Sequence, residues 1–244
     1  MITKEKKKQF RENTLYYYAN KFNKGIITNE EIDKIDMTEI FLAELEERVK
    51  LGEIIIININ AMMRKGKSTL AIKLGKIIYE LLKKYGYRKK TEQFTIKNIA
   101  RDHQEHSKMM RNPETAYTVI VTDEENELEN TGENVTAEKA LNEVFSSVQA
   151  ARLVHRVCCS PKDTTDPNAD ILLSITATDP PTMTTHAKLY YKYYEGGREQ
   201  IQYIGYIRIS VADIISNWEK NVKKRYYKLK PTQEDLKYVQ KQVS

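Results

Sequence analysis

Cysteine, proline, glycine and tryptophan are all scarce: two, six, nine and one respectively in 244 residues. So few cysteines exclude a disulfide framework. The pair, Cys158 and Cys159, is adjacent; successive strand residues point to opposite faces, so they cannot easily bridge each other. They read as two reduced, buried thiols. Little glycine and proline excludes collagen-like and low-complexity chains. No apolar run approaches the ~20 residues needed to cross a bilayer; the densest, "IIII" at 54–57, has the length of a strand. The basic start "MITKEKKKQFREN" is followed by no apolar segment, so it does not read as a secretory signal. The expectation is a protein without membrane insertion, placed in a cytoplasm (a host's included) or attached to a virion. Charge of one sign is lacking too. Forty basic residues face 34 acidic ones, for a net charge of +6, so the placement of charge matters more than its sum.

What remains is a chain rich in Ile, Tyr, Lys and Asn, 40% hydrophobic, adequate for one α/β domain with short extensions. Residues 1–37 read as an N-terminal arm or short helices. "TEIFLAELEERVKLG" is helical, with Ile40, Phe41, Leu45 and Val49 on one side, Thr38 as N-cap and Gly52 as stop. "EIIIININ" is a β-branched run of the kind buried on both faces of a sheet. After it "KSTLAIKLGKIIYELLKKYG" is helical. A strand is expected in "QFTIKNI", a polar helix in "RDHQEHSKMMRN" and a buried strand in "AYTVIVT". An acidic loop over 126–135, an amphipathic helix over "TAEKALNEVFSSVQAAR" and a buried strand in "LVHRVCCS" follow. The strand–helix alternation predicts a mostly parallel sheet. "ADILLSITATD" then reads as a strand, and "AKLYYKYYEGGREQIQYIGYIRISV" as two strands joined around Gly196–Gly197. The expected division is an arm at 1–37, one α/β domain over 38–215 and a basic tail over 216–244.

Between the first buried strand and its helix lies "AMMRKGKST", residues 61–69. A phosphate-binding loop has glycine, four residues, then Gly-Lys-Ser/Thr. Here Met62, Met63, Arg64 and Lys65 separate Ala61 from Gly66, Lys67, Ser68 and Thr69. In such a loop Gly66 permits close backbone approach, Lys67 reaches the β- and γ-phosphates and the Ser68 hydroxyl ligates Mg²⁺. Ala61 replaces the leading glycine, which is tolerable if that position needs no glycine-only backbone angle. A lysine-rich chain produces "RKGKS" by chance as a surface turn; the strand before it, the helix after it and a third feature separate the two cases.

The third feature is "TVIVTDEE". Asp123 stands at the carboxyl end of a buried strand, where open α/β sheets bind ligands. Asp123 would hold Mg²⁺, often through water, and Glu124 would polarise the attacking water, with Glu125 as competitor.

Together "LGEIIIININAMMRKGKSTLAIKLGKII" and "VIVTDEENE" resemble additional-strand P-loop ATPases, and within them the DNA-pumping FtsK–HerA type, which includes viral genome-packaging ATPases. The resemblance covers about 38–210. It implies a P-loop three-layer sandwich with a mostly parallel sheet, a late antiparallel hairpin and short helical N- and C-terminal extensions. It also implies ATP and Mg²⁺ as cofactors, and a homo-oligomeric ring, commonly a hexamer, acting on double-stranded DNA beside capsid or other mobile-element proteins. Ala61, Gly66, Lys67, Ser68 and Thr69 fall on Walker A, and Asp123 and Glu124 on Walker B. Ser160 stands where a polar γ-phosphate sensor belongs, with Gln149 as rival. Arg152, Arg156, Arg198 and Arg208 are candidates for an arginine acting on the neighbouring subunit. Ala61 and the acidic 126–135 segment depart from the pattern.

Elsewhere His103 and His106, with Asp102 and Glu105, have metal-ligand types at helical spacing but read as a solvated helix face. The tyrosine-rich strands interleave rings with Lys188, Lys192, Arg198 and Arg208, a composition that suits base stacking and equally an ordinary sheet. The tail clusters Lys220, Lys223, Lys224, Arg225, Lys228 and Lys230 with Trp218, Tyr226 and Tyr227, either a phosphate-contacting patch or a solubilising face; the run Lys4–Lys8 poses the same choice. Against DNA translocation stand three rivals: an ATP-dependent morphogenesis factor acting on protein, a small-molecule kinase, and a non-enzymatic nucleotide-gated module.

Overall fold

A computed structural model describes residues 14–62, 66–100, 103–122, 152–160, 168–195 and 197–214. The N-terminal helix α1, Leu15–Asn23, is started by the Thr14 side chain, which accepts the Tyr17 N–H at 3.2 Å. The short α2, Asn29–Ile32, is started by a reciprocal exchange: Thr28 N–H donates to the Glu31 carboxylate at 2.8 Å, and Glu31 N–H to the Thr28 hydroxyl at 3.3 Å. Helix α3 runs Thr38–Leu51 and stops at Gly52 in the left-handed region (φ 72°). Its N-cap position is Met37, which makes no side-chain cap, not Thr38. The Thr38 N–H and hydroxyl both donate to the Asp36 carboxylate, so the aspartate two residues earlier does the capping work.

Strand β1 (Ile56–Asn60) leads to helix α4 (Lys67–Lys84). The strand expected in "QFTIKNI" is reduced to the two residues of β2, Ile99–Ala100, after a 3₁₀ turn over Ile96–Asn98. Thr95 and Asn98 explain the difference. Thr95 N–H donates to the Asn98 side chain at 3.0 Å, and the Asn98 amide reaches Thr118 and the Val119 carbonyl; local side-chain bonds replace the ladder. Helix α5 (His103–Arg111) precedes β3 (Val119–Thr122). The strands β4 (His155–Ser160), β5 (Ile171–Asp179), β6 (Thr184–Glu195) and β7 (Arg198–Ser210) follow. The amphipathic helix expected over 136–152 and the C-terminal tail lie almost wholly outside the described residues.

All seven strands form one sheet in the order β2-β3-β4-β1-β5-β6-β7. From β2 to β5 the neighbours are parallel; β5, β6 and β7 form an antiparallel meander. The chain is therefore α/β with a mostly parallel sheet and a late antiparallel hairpin, as expected. Strand β4, which follows β3 in sequence, is interposed between β1 and β3.

Residue parity sorts the two faces. Ile57, Ile59, Val119, Val121, Val157, Cys159, Ile171, Leu173, Ala187 and Leu189 share one buried cluster with Leu15, Ile32, Met37, Phe41, Leu45, Leu70 and Ile78. Helices α1, α3 and α4 cover that face. On the opposite face Ile120 packs with Ala100, Met110 and Val154 beneath α5. Helices on both faces are compatible with a three-layer sandwich. The open edge is partly closed where residues 35–37 run along β7, with Met37 N–H donating to the Tyr206 carbonyl at 2.8 Å and Tyr206 N–H to the Ile35 carbonyl at 3.2 Å. Gly205 (φ 132°) makes this possible. A Cβ there would lie 2.7 Å from Met37 Cγ and 2.9 Å from the Ile35 carbonyl oxygen.

At the amino end of the sheet, Arg48 ties four elements together. It donates to Glu44 at 2.9 Å, to Asp170 and to the Tyr191 hydroxyl at 3.2 Å. Asp170 also accepts the Ile56 N–H, and Glu44 the Leu15 N–H. Burial works against the Arg48 charge, but Asp170, Tyr191 and Glu44 outweigh it and hold the guanidinium above its ordinary pKa.

Candidate functional site at the carboxyl rim of the sheet

Strands β1, β3, β4 and β5 run parallel, so their carboxyl ends share one rim. Helix α4 starts there. Its N-cap is Gly66 at φ 83°, ψ 18°, a conformation that disfavours any side chain; a Cβ would also stand 3.4 Å from the Thr178 hydroxyl near the end of β5. The first N–H groups of a helix have no acceptor within it, and here they face the rim with the favourable end of the helix dipole.

Lys67 is the first residue of α4, and its Nζ donates to the main-chain carbonyl of Ser160, the last residue of β4, at 2.9 Å. The lysine therefore crosses the gap between the loop strand and the interposed strand. Ser68 lies in the same helical turn, and Thr69 behind it is buried. Ala61 is buried just beyond β1, and its backbone is ordinary: positive φ among the described non-glycine residues occurs at Tyr117, Leu153 and Met183. Alanine thus costs nothing in backbone strain where the usual loop has glycine. Met62 is exposed. Met63, Arg64 and Lys65 lie outside the described residues.

So do Asp123, Glu124, Glu125 and Gln149. What is described is the strand that leads to the acids. Thr122 ends β3 fully buried at the same rim, in register with Cys158 on β4. Two strand spacings, about 10 Å, separate β1 from β3.

The sequence pointed to Ser160 at this rim but not to the partners that hold it. Ser160 is 2% exposed, and its hydroxyl donates to the side-chain Oδ1 of Asn58 at 2.6 Å; the Asn58 side-chain Nδ2 in turn donates to Asn60 Oδ1 at 2.7 Å. Asn58 is fully buried inside a strand that read as uniformly apolar. Its polarity was visible in "IININ", but pairing across to Ser160 depends on β4 lying beside β1. His106 corrects the solvated helix-face reading. It is 3% exposed, and its Nδ1 lies 2.6 Å from the Thr122 hydroxyl, so α5 fastens the end of the strand that leads to Asp123.

The other candidates are distributed as follows. Arg152 donates to the Met110 carbonyl at 3.2 Å, Arg156 is buried in β4 with a nitrogen 3.6 Å from Cys158 Sγ, and Arg208 pairs with Asp36. Arg198, beside the β6–β7 turn, is exposed. On the tyrosine-rich strands Lys192 pairs with Glu199 at 2.9 Å and Lys188 lies 4.0 Å from Asp33; these cations face acids of their own chain. Cys158 and Cys159 are both buried thiols with no disulfide between them. A separate cavity of about 830 Å³, lined by Tyr79, Arg88, Glu92, Asn98, Glu114 and Thr118 among others, lies toward the amino end of β3. Among the described residues no group of three His, Cys, Asp or Glu could hold a metal, and no helix is long and apolar enough to cross a membrane.

His155, at the amino end of β4, supplies a pH probe of the sheet. Its Nδ1 accepts the Ile55 N–H at 3.1 Å, and burial pushes its pKa down to about 4. The unfolded chain binds this proton at about pH 6.5 while the folded one refuses it until about pH 4, so stability falls with acidification across that window. The loss reaches about 2 kcal/mol by pH 4.5. We expect His155→Gln to be less stable at pH 7 yet flatter between pH 6.5 and 4.5, as read by urea midpoints at each pH. An unchanged slope would refute the assignment.

Neither a protein-family model nor a curated protein matches this chain.

Proposed function

We propose that the chain is a Mg²⁺-dependent nucleoside-triphosphate hydrolase, with ATP as substrate, that works as a ring-shaped oligomer to move DNA. One observation carries the catalytic half of the proposal. A lysine at the start of a helix, behind a left-handed glycine, reaches across the rim between two parallel strands, one strand away from the strand that leads to Asp123. The interposed position of β4 accords with the resemblance to additional-strand ATPases, and the β5–β7 meander with its late hairpin.

The donor set suits the chemistry. The helix N-terminus and Lys67 would hold the β- and γ-phosphates, and the Ser68 hydroxyl and the Asp123 carboxylate are the hard oxygen ligands that Mg²⁺ takes. Bound Mg²⁺ would neutralise charge on the transferring phosphoryl group. Phosphoryl transfer to water asks little covalent help of a protein; positioning and charge stabilisation carry it. Glu124 would orient the attacking water, and an arginine from a neighbouring subunit would stabilise the developing charge. Of the four arginine candidates Arg198 is the exposed one without an acid or carbonyl partner described for it.

A second reading has its own support. Lys188, Lys192 and Arg208 spend their charge on Asp33, Glu199 and Asp36, which leaves the tyrosine-rich strands poorly suited to phosphate and favours an ATPase that remodels protein during assembly of a particle. ATP hydrolysis by the wild-type chain, with and without double-stranded DNA, separates the two. DNA translocation requires stimulation that weakens as salt rises; a flat response points to a protein substrate, and no hydrolysis under either condition defeats both.

A further inference from the structure

On the face of the sheet opposite α4, the rim carries a buried polar chain that ends in an unspent donor. Lys67 Nζ is fixed on the Ser160 carbonyl at 2.9 Å, the Ser160 hydroxyl donates to Asn58 at 2.6 Å, and the Asn58 amide donates to Asn60 Oδ1 at 2.7 Å. Asn58 is 0% and Ser160 2% exposed. Within a low-dielectric interior such a hydrogen-bonded chain is stiff.

Two consequences follow from donor and acceptor capacity. The hydroxyl of serine has one proton, and that of Ser160 is committed to Asn58. It has no proton left to offer a phosphate. Asn60 differs. Its Oδ1 is occupied by Asn58, which turns the other end of the planar carboxamide, an NH₂ with two donors, away from the strand interior. Asn60 is half-buried at the last position of β1, immediately before Ala61 and the loop. It is in register with Ser160 on β4, so its side chain stands about one strand spacing from the carbonyl that anchors Lys67.

We propose that the Asn60 carboxamide, oriented by Asn58, is the donor that contacts the terminal phosphoryl group of the bound nucleotide, the part that the resemblance assigned to Ser160. The proposal rests on the nucleotide-hydrolase reading above. Asn58 and Ser160 become positioning residues: they touch no substrate and act by holding Asn60. Chemically the contact is a neutral amide donating to a phosphate oxygen that gains charge on the way to the transition state, where a pre-oriented donor is worth most.

Asn60→Asp tests this with minimal disturbance, because the carboxylate keeps the acceptor for Asn58 and replaces the donor by a negative charge. We expect ATP turnover to fall about 10²-fold or more, and ATP affinity to weaken, while ADP affinity stays within about threefold of wild type, since ADP lacks the phosphate being contacted. Asn58→Ala is expected to give the same pattern with a smaller loss, and Ser160→Ala a smaller one still, because Asn58 keeps its bond to Asn60. If Asn60→Asp does not fold, Asn60→Ala is measured instead against the same criteria. Turnover within about twofold of wild type, or equal losses in ATP and ADP affinity, overturns the proposal; so does Ser160→Ala costing more than the Asn60 variant. A wild-type chain that binds ADP and ATP but hydrolyses neither would overturn the hydrolase reading itself, before the Asn60 comparison is reached.

Discussion

Lys67→Ala is expected to abolish ATP turnover and weaken nucleotide binding, whereas Glu124→Gln is expected to bind nucleotide as well as wild type and scarcely turn it over. That contrast is the largest effect we expect, and its two halves have different causes. The Lys67 ammonium starts helix α4 behind Gly66 and reaches the Ser160 carbonyl; in the proposed hydrolase it would meet the phosphates in the ground state and in the transition state alike. Removing it therefore costs both affinity and rate. Losing one well-placed donor to developing charge costs about 10²–10³ in kcat, and the loss of binding comes on top. Glu124 by contrast would act only on the water, so an isosteric amide leaves the phosphate contacts whole. Equilibrium binding of a fluorescent ATP analogue, set beside steady-state phosphate release, reads both halves. If Glu124→Gln hydrolyses normally, the base is Glu125 or the acids do not serve catalysis. If Lys67→Ala hydrolyses normally, the rim is not the site.

The second large effect concerns stability. Arg48→Ala removes the centre of the network that joins α1, α3, β1 and β6, and leaves the Glu44 and Asp170 carboxylates with an uncompensated charge. Arg48 and Glu44 have side chains 10% and 13% exposed, while Asp170 is 31% exposed, so solvent recovers part of the loss. Breaking a buried pair costs ~3–5 kcal/mol; with that relief we expect about 3 kcal/mol, which for a chain of this size lowers Tm by roughly 10 °C. Arg48→Lys rescues little, because an ammonium cannot reach Glu44, Asp170 and the Tyr191 hydroxyl together as a guanidinium fork does. A triple variant, Arg48→Met with Glu44→Gln and Asp170→Asn, recovers most of the loss by removing the stranded charges. Thermal melts of the three variants check this; a single Arg48→Ala that melts with wild type contradicts it. Because the network sits at the end of the sheet away from the rim, nucleotide affinity is expected to change little in the folded variant.

These two regions were unequally legible in the sequence. The elements that place Lys67 were readable because period and punctuation agreed: a β-branched run, a glycine, then apolar spacing at helical period over "STLAIKLGKII". The β6–β7 hairpin was readable from Gly196–Gly197 for the same reason. Arg48 was not. In "LAELEERVKLG" it looks like one more charge on a solvated helix face, and only the approach of Asp170, distant in the chain, buries it. His106 misled in the same way, since a polar helix gives no sign that one of its members meets Thr122. Thr38 was the natural cap by type, but Asp36 took its hydroxyl and amide. The strand expected near Asn98 was shortened by side-chain bonds that hydrophobic periodicity cannot register. Side-chain partners, near in the chain for Thr38 and Thr95 and distant for Arg48 and His106, decided these cases.

A structure of the full chain with Mg²⁺ and a slowly hydrolysed ATP analogue tests the central claim most directly. We expect the triphosphate at the carboxyl rim between β1 and β4, with Lys67 Nζ moved from the Ser160 carbonyl onto the phosphates and one ion shared by the Ser68 hydroxyl and Asp123, directly or through water. A nucleotide bound elsewhere, or Ser68 and Asp123 too far apart to serve the same ion, would contradict it.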